Sequence, residues 1–166
     1  MGRCPSISAE IVKVTAAKRR ADRMKVVSDP YEIEAWLAFD FSGRGDKYST
    51  QKYDWPHFSG TDFNAKDNKT AIYKIVGPNK DWSRFVDLEK GNYDYLMFAD
   101  LDYTNAEVKQ DVKSWGEWIG KELRIKGIRF DAVKHFSEDF LRDFIQHLDQ
   151  TVGEGWFLIG EVSILH

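Results

Sequence analysis

Hydrophobic positions fall into two textures along the chain. From Thr104 onward they recur regularly. Val108, Val112, Trp115 and Ile119 lie at helical spacing and predict a helix over Ala106–Glu122, with Thr104 or Asn105 as its N-cap. Ile125–Val133 reads as a buried strand. Ser137 then caps a second helix, with Glu138 and Asp139 in the first turn, where the helix dipole favours acids. Phe140, Leu141, Phe144, Ile145 and Leu148 form the apolar stripe of that helix. Gly153 and Gly155 break it, and Trp156–Ile164 predicts a second buried strand. Strand, helix and strand in this order make a βαβ unit, so the two strands are expected to be parallel neighbours.

Residues up to about Gly91 are irregular and turn-rich. Short strands are expected at Ile11–Val14, Tyr31–Ala38 and Thr70–Val76, punctuated by Gly43, Gly45, Pro56, Gly60, Gly77 and Pro78. This pattern describes a small β-rich lobe with long loops, and long loops are usually functional or inserted. Two parallel strands do not stand alone, since a parallel sheet needs helices on its faces and more strands beside it. The chain therefore reads as a slice of a larger α/β protein.

Composition sharpens this picture in three ways. Aromatic residues make up 14% of the chain, and they either fill a core or grip flat apolar ligand faces such as those of sugars. Most lie in the irregular lobe, including Trp36, Phe39, Phe41, Tyr48, Tyr53, Trp55, Phe58, Phe63 and Tyr73. A net charge of −3 offers no basic balance pointing to nucleic acid. The single cysteine, Cys4, excludes an internal disulfide framework and a multi-cysteine zinc site, and it fits a reducing compartment. No run approaches the ~18 apolar residues of a membrane span. Met1 to Ala9 has no apolar leader segment, so a cytoplasmic location is the expectation.

The candidate chemistry sits where the two regular strands end. Asp131 and Glu161 lie towards the C-terminal ends of neighbouring parallel strands, the face on which catalytic groups collect in a closed barrel. Strands about 4.8 Å apart would bring the carboxylates near the ~5–5.5 Å separation of retaining glycosidases. Arg129, two residues before Asp131, shares its strand face and would hold that carboxyl ionised. An Arg–Asp pair buried for structure alone is the competing reading of the same spacing. Asp94, Asp100 and Asp102 form an acidic cluster on a turn-like segment. Hard oxygen donors at this density suit calcium, and a solvated acidic loop is the alternative.

Several segments carry a family resemblance. Gly127-Ile-Arg-Phe-Asp-Ala-Val-Lys-His135 resembles the second signature region of the α-amylase family of glycoside hydrolases. Phe157-Leu-Ile-Gly-Glu161 resembles the strand carrying that family's acid/base glutamate. Tyr31-Glu-Ile-Glu-Ala-Trp36, Phe39-Asp-Phe41, Gly43-Arg-Gly-Asp-Lys-Tyr48 and Gly91-Asn-Tyr-Asp-Tyr-Leu-Met-Phe-Ala-Asp-Leu-Asp102 resemble the inserted β-rich domain of liquefying-type members and its return to the barrel. The resemblance runs from roughly Val26 to Glu161. It is closest to fungal members of the non-secreted kind, as in Ser137-Glu-Asp-Phe-Leu and Val152-Gly-Glu-Gly-Trp156.

The resemblance implies an α/β fold: a partial (β/α)8 TIM barrel of about two strands and two helices, plus an inserted β-rich domain. It divides the chain into a poorly matching segment 1–25, an inserted domain over 26–103 and a barrel fragment over 104–166. It implies Asp131 as nucleophile, Glu161 as general acid/base and Arg129 as the residue orienting the nucleophile. Lys134 and His135 would line the aglycone side of the cleft. The implied ligands of a structural calcium are Asp94, Asp100 and the main-chain oxygen of His135, with a further asparagine that this chain does not contain. The implied partner is an α-1,4-glucan such as starch or glycogen, with no nucleic-acid or membrane partner, in a monomeric full-length enzyme.

The sequence also departs from the family. The first and fourth signature regions are absent, the fourth carrying the third catalytic carboxylate. Val162-Ser-Ile-Leu-His166 stands where aromatics are usual after the glutamate. Ser42 stands where a proline is usual, and Asn105-Ala106 where His-Pro is usual. Bacterial liquefying members carry aspartates where this chain has Ser59, Ser83 and Thr104, so at most one calcium is expected here. A fragment of this kind is expected to be unstable and nearly inactive alone. A glucan-binding remnant without catalysis, or part of a related glucan transferase, are the other functions these residues allow. A nucleotide-binding domain is disfavoured, because no glycine-rich phosphate loop follows either strand.

Overall fold

The computed structural model describes residues 7–20, 24–43, 46–47, 49–88 and 93–161. Cys4, Gly45, Tyr48, Gly91 and the stretch 162–166 lie outside the described residues. Six strands form one antiparallel sheet: β1 (Ile7–Arg19), β2 (Met24–Val26), β3 (Tyr31–Phe39), β4 (Phe58–Asn64), β5 (Lys69–Ile75) and β6 (Asp100–Leu101). The hydrogen-bonded path runs β2-β1-β5-β4-β6, and β3 also pairs with β1. Alternation sets the faces, as period-two side chains must. Val12 and Val14 of β1 and Ile33, Ala35 and Leu37 of β3 are buried, while Ile11, Lys13, Glu32, Glu34 and Trp36 between them are exposed.

The sheet's central strand is longer than the expected Ile11–Val14. β1 runs for 13 residues and pairs with β3 over Ile7–Val14 and with β5 over Val14–Ala17. Strands on either side of Val26, β1 and β3, pair with each other. Ala16, Ala17 and Lys18 carry little strand propensity, yet pairing holds them extended: Ala16 with Tyr73 of β5, Lys18 with Lys25 of β2, and Ala17 with both neighbours. The aromatics of this half serve the core first. Phe58 and Tyr73 are buried in it, and Phe39, Tyr53 and Trp55 pack against it.

The second half follows as α1 (Ala106–Leu123), β7 (Gly127–Phe130), α2 (Glu138–Thr151) and β8 (Phe157–Gly160). β7 and β8 pair in parallel, with Arg129 opposite Ile159 and Phe130 opposite Gly160, as the βαβ pattern implied. β7 is shorter than the expected Ile125–Val133, because the chain turns at Asp131, and the end of the expected second strand, 162–164, lies outside the described residues. Asn105 caps α1 by accepting the Glu107 N–H, and Ser137 caps α2 by accepting the Phe140 N–H. The described residues thus form a mixed α/β structure with two α-helices.

One face of β7 packs on α2. Ile128 and Phe130 lie against the cluster of Phe140, Phe144 and Leu148, joined by Val112, Val152, Trp156 and Tyr103. The buried stripe of α1 differs from the expected one. Val108, Gly116 and Gly120 are buried and Val112 is half-buried, whereas Trp115, expected on the stripe, is 53% exposed. The reason is close helix approach: a Cβ on Gly116 would stand 2.5 Å from the Phe144 ring, so no tryptophan fits on that face.

This contact reverses an ordinary substitution rule. Helix propensity alone favours alanine over glycine by roughly 1 kcal/mol. At Gly116 the added methyl must displace a buried ring, and overpacking costs about 1–3 kcal/mol. Gly116→Ala is expected to lower stability in urea unfolding, and a stabilised variant would overturn this account of the helix pair.

Candidate functional site

The strand ends bring three of the anticipated residues together. Paired parallel strands place Arg129, Asp131, Ile159 and Glu161 on the face opposite the α2 contact. Arg129 Nη2 bonds Glu161 Oε2 and lies 3.8 Å from Asp131 Oδ1. The guanidinium is thus nearer Glu161 than the residue it was expected to orient. The register explains this, since Arg129 sits opposite Ile159 and Glu161 is two steps further on the same face. The group is not a buried ion pair: Asp131 is 77% exposed, Arg129 58% and Glu161 43%.

Backbone bonds tie the two strand ends. Glu161 N–H donates to the Phe130 carbonyl at 2.8 Å, and Val133 N–H donates to the Glu161 carbonyl at 3.0 Å. Ala132 adopts φ 49°, which swings the chain into the 3-10 turn Val133–His135. Gly160 allows this turn to lie close, because a Cβ there would stand 3.1 Å from Val133 Cγ1.

That turn carries Lys134 and His135 to Tyr93. Lys134 is buried with its ammonium 4.3 Å from the centre of the Tyr93 ring. His135 meets the same ring edge-on, with centroids 5.0 Å apart, and its Nδ1 bonds the Tyr93 carbonyl. Burial, opposed by the Tyr93 carbonyl and reinforced by the charges of Arg19 and Lys134, lowers the His135 pKa. Arg19 at the end of β1 also stands over this ring, at 5.2 Å. Sequence reading missed Arg19, because nothing local marks a residue whose partner lies 74 positions away, the distance from 19 to 93.

The acidic cluster continues from Tyr93. Asp94, Asp102 and Asp100 are withdrawn from water, and each is met by one of the three neutral residues noted above. The Ser83 N–H donates to Asp94 at 2.7 Å, the Ser59 hydroxyl to Asp100, and the Thr104 N–H and hydroxyl to Asp102. Burial raises the Asp94 pKa to about 6, with the charges of Asp102 and Asp81 adding to it and the Ser83 N–H opposing. Burial also drives Asp100 well up, and the neighbouring charges of Asp94 and Asp102 push the same way. His135 reaches the cluster through its contacts with Tyr93, the residue before Asp94. Among the described residues, no group of three or more His, Cys, Asp or Glu is arranged to hold a metal ion by side chains alone.

Comparison with known proteins gives consistent matches. An alpha-amylase of Bacillus licheniformis is 45% identical over 141 residues, 85% of this chain and 27% of that protein. A glucan 1,4-alpha-maltohexaosidase of Bacillus sp. (strain 707) is 43% identical over 84% of this chain and 27% of its own length. The cytoplasmic alpha-amylase of Escherichia coli (strain K12) is 32% identical over 84% of this chain and 29% of its own. The chain therefore spans little more than a quarter of the length of the curated relatives it matches. No family model matches it.

The buried carboxylates generate a pH dependence. The Asp94 pKa is raised in the fold, so the folded state binds its proton more tightly than the unfolded chain does. Its contribution therefore favours folding below about pH 4 and is lost as pH rises through about 6. In a chelator, Asp94→Asn is expected to stabilise the chain at pH 7.5 and to lose that advantage by pH 4. A stability difference independent of pH in paired unfolding curves would refute this.

Proposed function

The chain belongs to the α-amylase family over the stretch it shares with these relatives, and from that premise we propose that it carries part of the active site of a retaining glycoside hydrolase acting on α-1,4-glucans such as starch or glycogen. In this reading β7, β8, α1 and α2 are two strands and two helices of a partial (β/α)8 TIM barrel. The antiparallel sheet is the inserted β-rich domain. The observation that carries the reading is the placement of Asp131 and Glu161 at the ends of adjacent parallel strands, with Arg129 between them on one face. The same face leaves Phe157 71% and Ile159 49% exposed, as suits residues directed at a barrel interior.

The chemistry follows from the pair. The Asp131 carboxylate attacks the anomeric carbon while the glycosidic C–O bond breaks, and Glu161 gives its proton to the departing oxygen. Glu161, now ionised, takes a proton from water as that water displaces Asp131 from the sugar. Arg129 lies between the two carboxyls and would steady the charge of Asp131 before attack and that of Glu161 once its proton has left. Lys134 and His135, fixed by Tyr93, would stand beside the leaving sugar. The family's third catalytic carboxylate matches no residue here. A cytoplasmic setting and a monomeric full-length enzyme belong to the same reading, the first supported by the name of the Escherichia coli relative.

A calcium ion fits beside Asp94 and Asp100. Burial raises the pKa of both carboxyls, and the charge of Asp94 raises that of Asp100 further, which is a demand for positive charge; calcium accepts main-chain oxygen such as that of His135 to complete its shell. The ion would hold the Tyr93–Asp94 segment against the 3-10 turn. It takes no part in the proton transfers above.

Three measurements bear on this reading. With the remaining barrel supplied, Glu161→Gln is expected to lower kcat by about 10²–10⁴-fold, the worth of a positioned general acid, and Asp131→Asn by at least as much. The 166-residue chain alone is expected to release no measurable reducing ends from soluble starch. Redistribution of chain lengths without new reducing ends would instead indicate a transferase, and glucan binding indifferent to Asp131→Asn would indicate a non-catalytic role. Calcium titration is expected to show one tight site or none, and two would contradict the ligand assignment.

A further inference from the structure

Arg19 is the last residue of β1, and its side chain leaves the sheet. Nη2 donates to the Tyr95 carbonyl, and Cζ stands 5.2 Å from the centre of the Tyr93 ring. The same ring is held from the turn Val133–His135. Lys134 directs its ammonium at the ring from 4.3 Å, His135 meets the ring edge-on, and His135 Nδ1 bonds the Tyr93 carbonyl. Tyr93 is only 2% exposed, yet its hydroxyl has no hydrogen-bond partner among the described residues. The contacts are thus made by the ring, an aromatic surface that attracts one cation from the sheet and one from the turn.

That turn also joins the two strand ends. It begins two residues after Asp131, and its first N–H, that of Val133, donates to the Glu161 carbonyl at 3.0 Å. Main-chain bonds close the Tyr93 segment on it. The Lys134 carbonyl accepts from the Asp87 N–H at 3.2 Å, and the Asp87 carbonyl accepts from the Tyr93 N–H at 3.0 Å. Contacts therefore run without a break from Arg19 through Tyr93 to the turn, and from the turn to both carboxylate-bearing ends.

We infer that Arg19 is a positioning residue of the candidate active site, fixing from the sheet the turn that ties Asp131 to Glu161. The inference rests on the reading of that pair as the reacting carboxylates. It goes beyond that reading by giving the antiparallel sheet a part in their placement. Arginine suits this task, since its planar fork can bond a carbonyl and lie against a ring at once. Lysine at this position would keep the charge without the fork, and methionine would keep neither.

The test has two arms. In the full chain, amide hydrogen exchange is compared at Val133, whose N–H holds Glu161, and at Val152, whose N–H bonds the Leu148 carbonyl in α2. Arg19→Met is expected to speed exchange at Val133 by about tenfold and to leave Val152 unchanged, because local opening and global unfolding are separable. Arg19→Lys should give a smaller rise at Val133 alone. Equal rises at both amides would mean that Arg19 only stabilises the fold, and no rise at Val133 would mean that it does not hold the turn. Either result overturns the inference. Should Arg19→Met fail to fold, Arg19→Lys decides by the same comparison. In the second arm, with the remaining barrel supplied, Arg19→Met is expected to lower kcat on soluble starch by about tenfold at little changed KM, as misplaced reacting groups do. Arg19→Lys should regain most of the loss. A raised KM with kcat intact would overturn the inference. The two readings fail separately: a reassembled protein inactive on starch would sink the reading of Asp131 and Glu161, while exchange at Val133 still judges the hold of Arg19 on the turn.

Discussion

Within nine residues Asp94 and Asp102 are buried and Asp100 is half-buried, and the two halves of the structure meet around them. Isolated carboxylates in such a place are costly, so each must be met by donors or cations. The antiparallel sheet supplies one set, through Ser59 on β4 and Lys80 beyond β5. The segment leading to α1 supplies Thr104. Immediately after Asp102, the Tyr103 ring stacks on Phe140 of α2 with centroids 4.3 Å apart. The same short stretch thus closes the sheet through β6 and anchors the βαβ unit. Loosening its charges would loosen the relation between sheet and strand ends.

A second set of contacts braces this junction. His57, just before β4, bonds Glu107 on α1 at 3.0 Å, and the Tyr53 hydroxyl bonds Asp111 one turn further along at 2.8 Å. These bonds fix α1 relative to the sheet by polar contacts, while Gly116 and Gly120 let α2 approach its other side by apolar ones. The aromatic richness of the chain is therefore spent mainly inside. Phe39, Tyr53, Phe58 and Tyr73 serve the sheet's core, and Tyr103, Phe130, Phe140 and Phe144 serve the helix pair.

Much of the second half was legible in the sequence, because its signals are local. Helical spacing, the caps at Asn105 and Ser137, and the βαβ order each depend on residues within a few turns. They suffice to place Asp131 and Glu161 on adjacent strand ends. The first half was less legible, since β1 is held by pairing across long separations and its alanines carry no strand signal. The buried stripe of α1 was misjudged for a similar reason. Periodicity marks Trp115 as apolar, but only the neighbour Phe144 reveals that the inner face must be glycine. Lys80 reads as an ordinary surface lysine until Asp102 is found beside it.

The cradle around Tyr93 joins positions that the chain order keeps far apart. Arg19 on the first strand and Lys134 in the turn after β7 both direct positive charge at one ring, and His135 rests on its edge. A ring attracts a cation through its face, but two cations near one ring also repel each other. Loss or gain of charge at 19 therefore changes what is tolerable at 134. The two positions should co-vary over evolutionary time, with tyrosine at 93 as the condition for either to be basic.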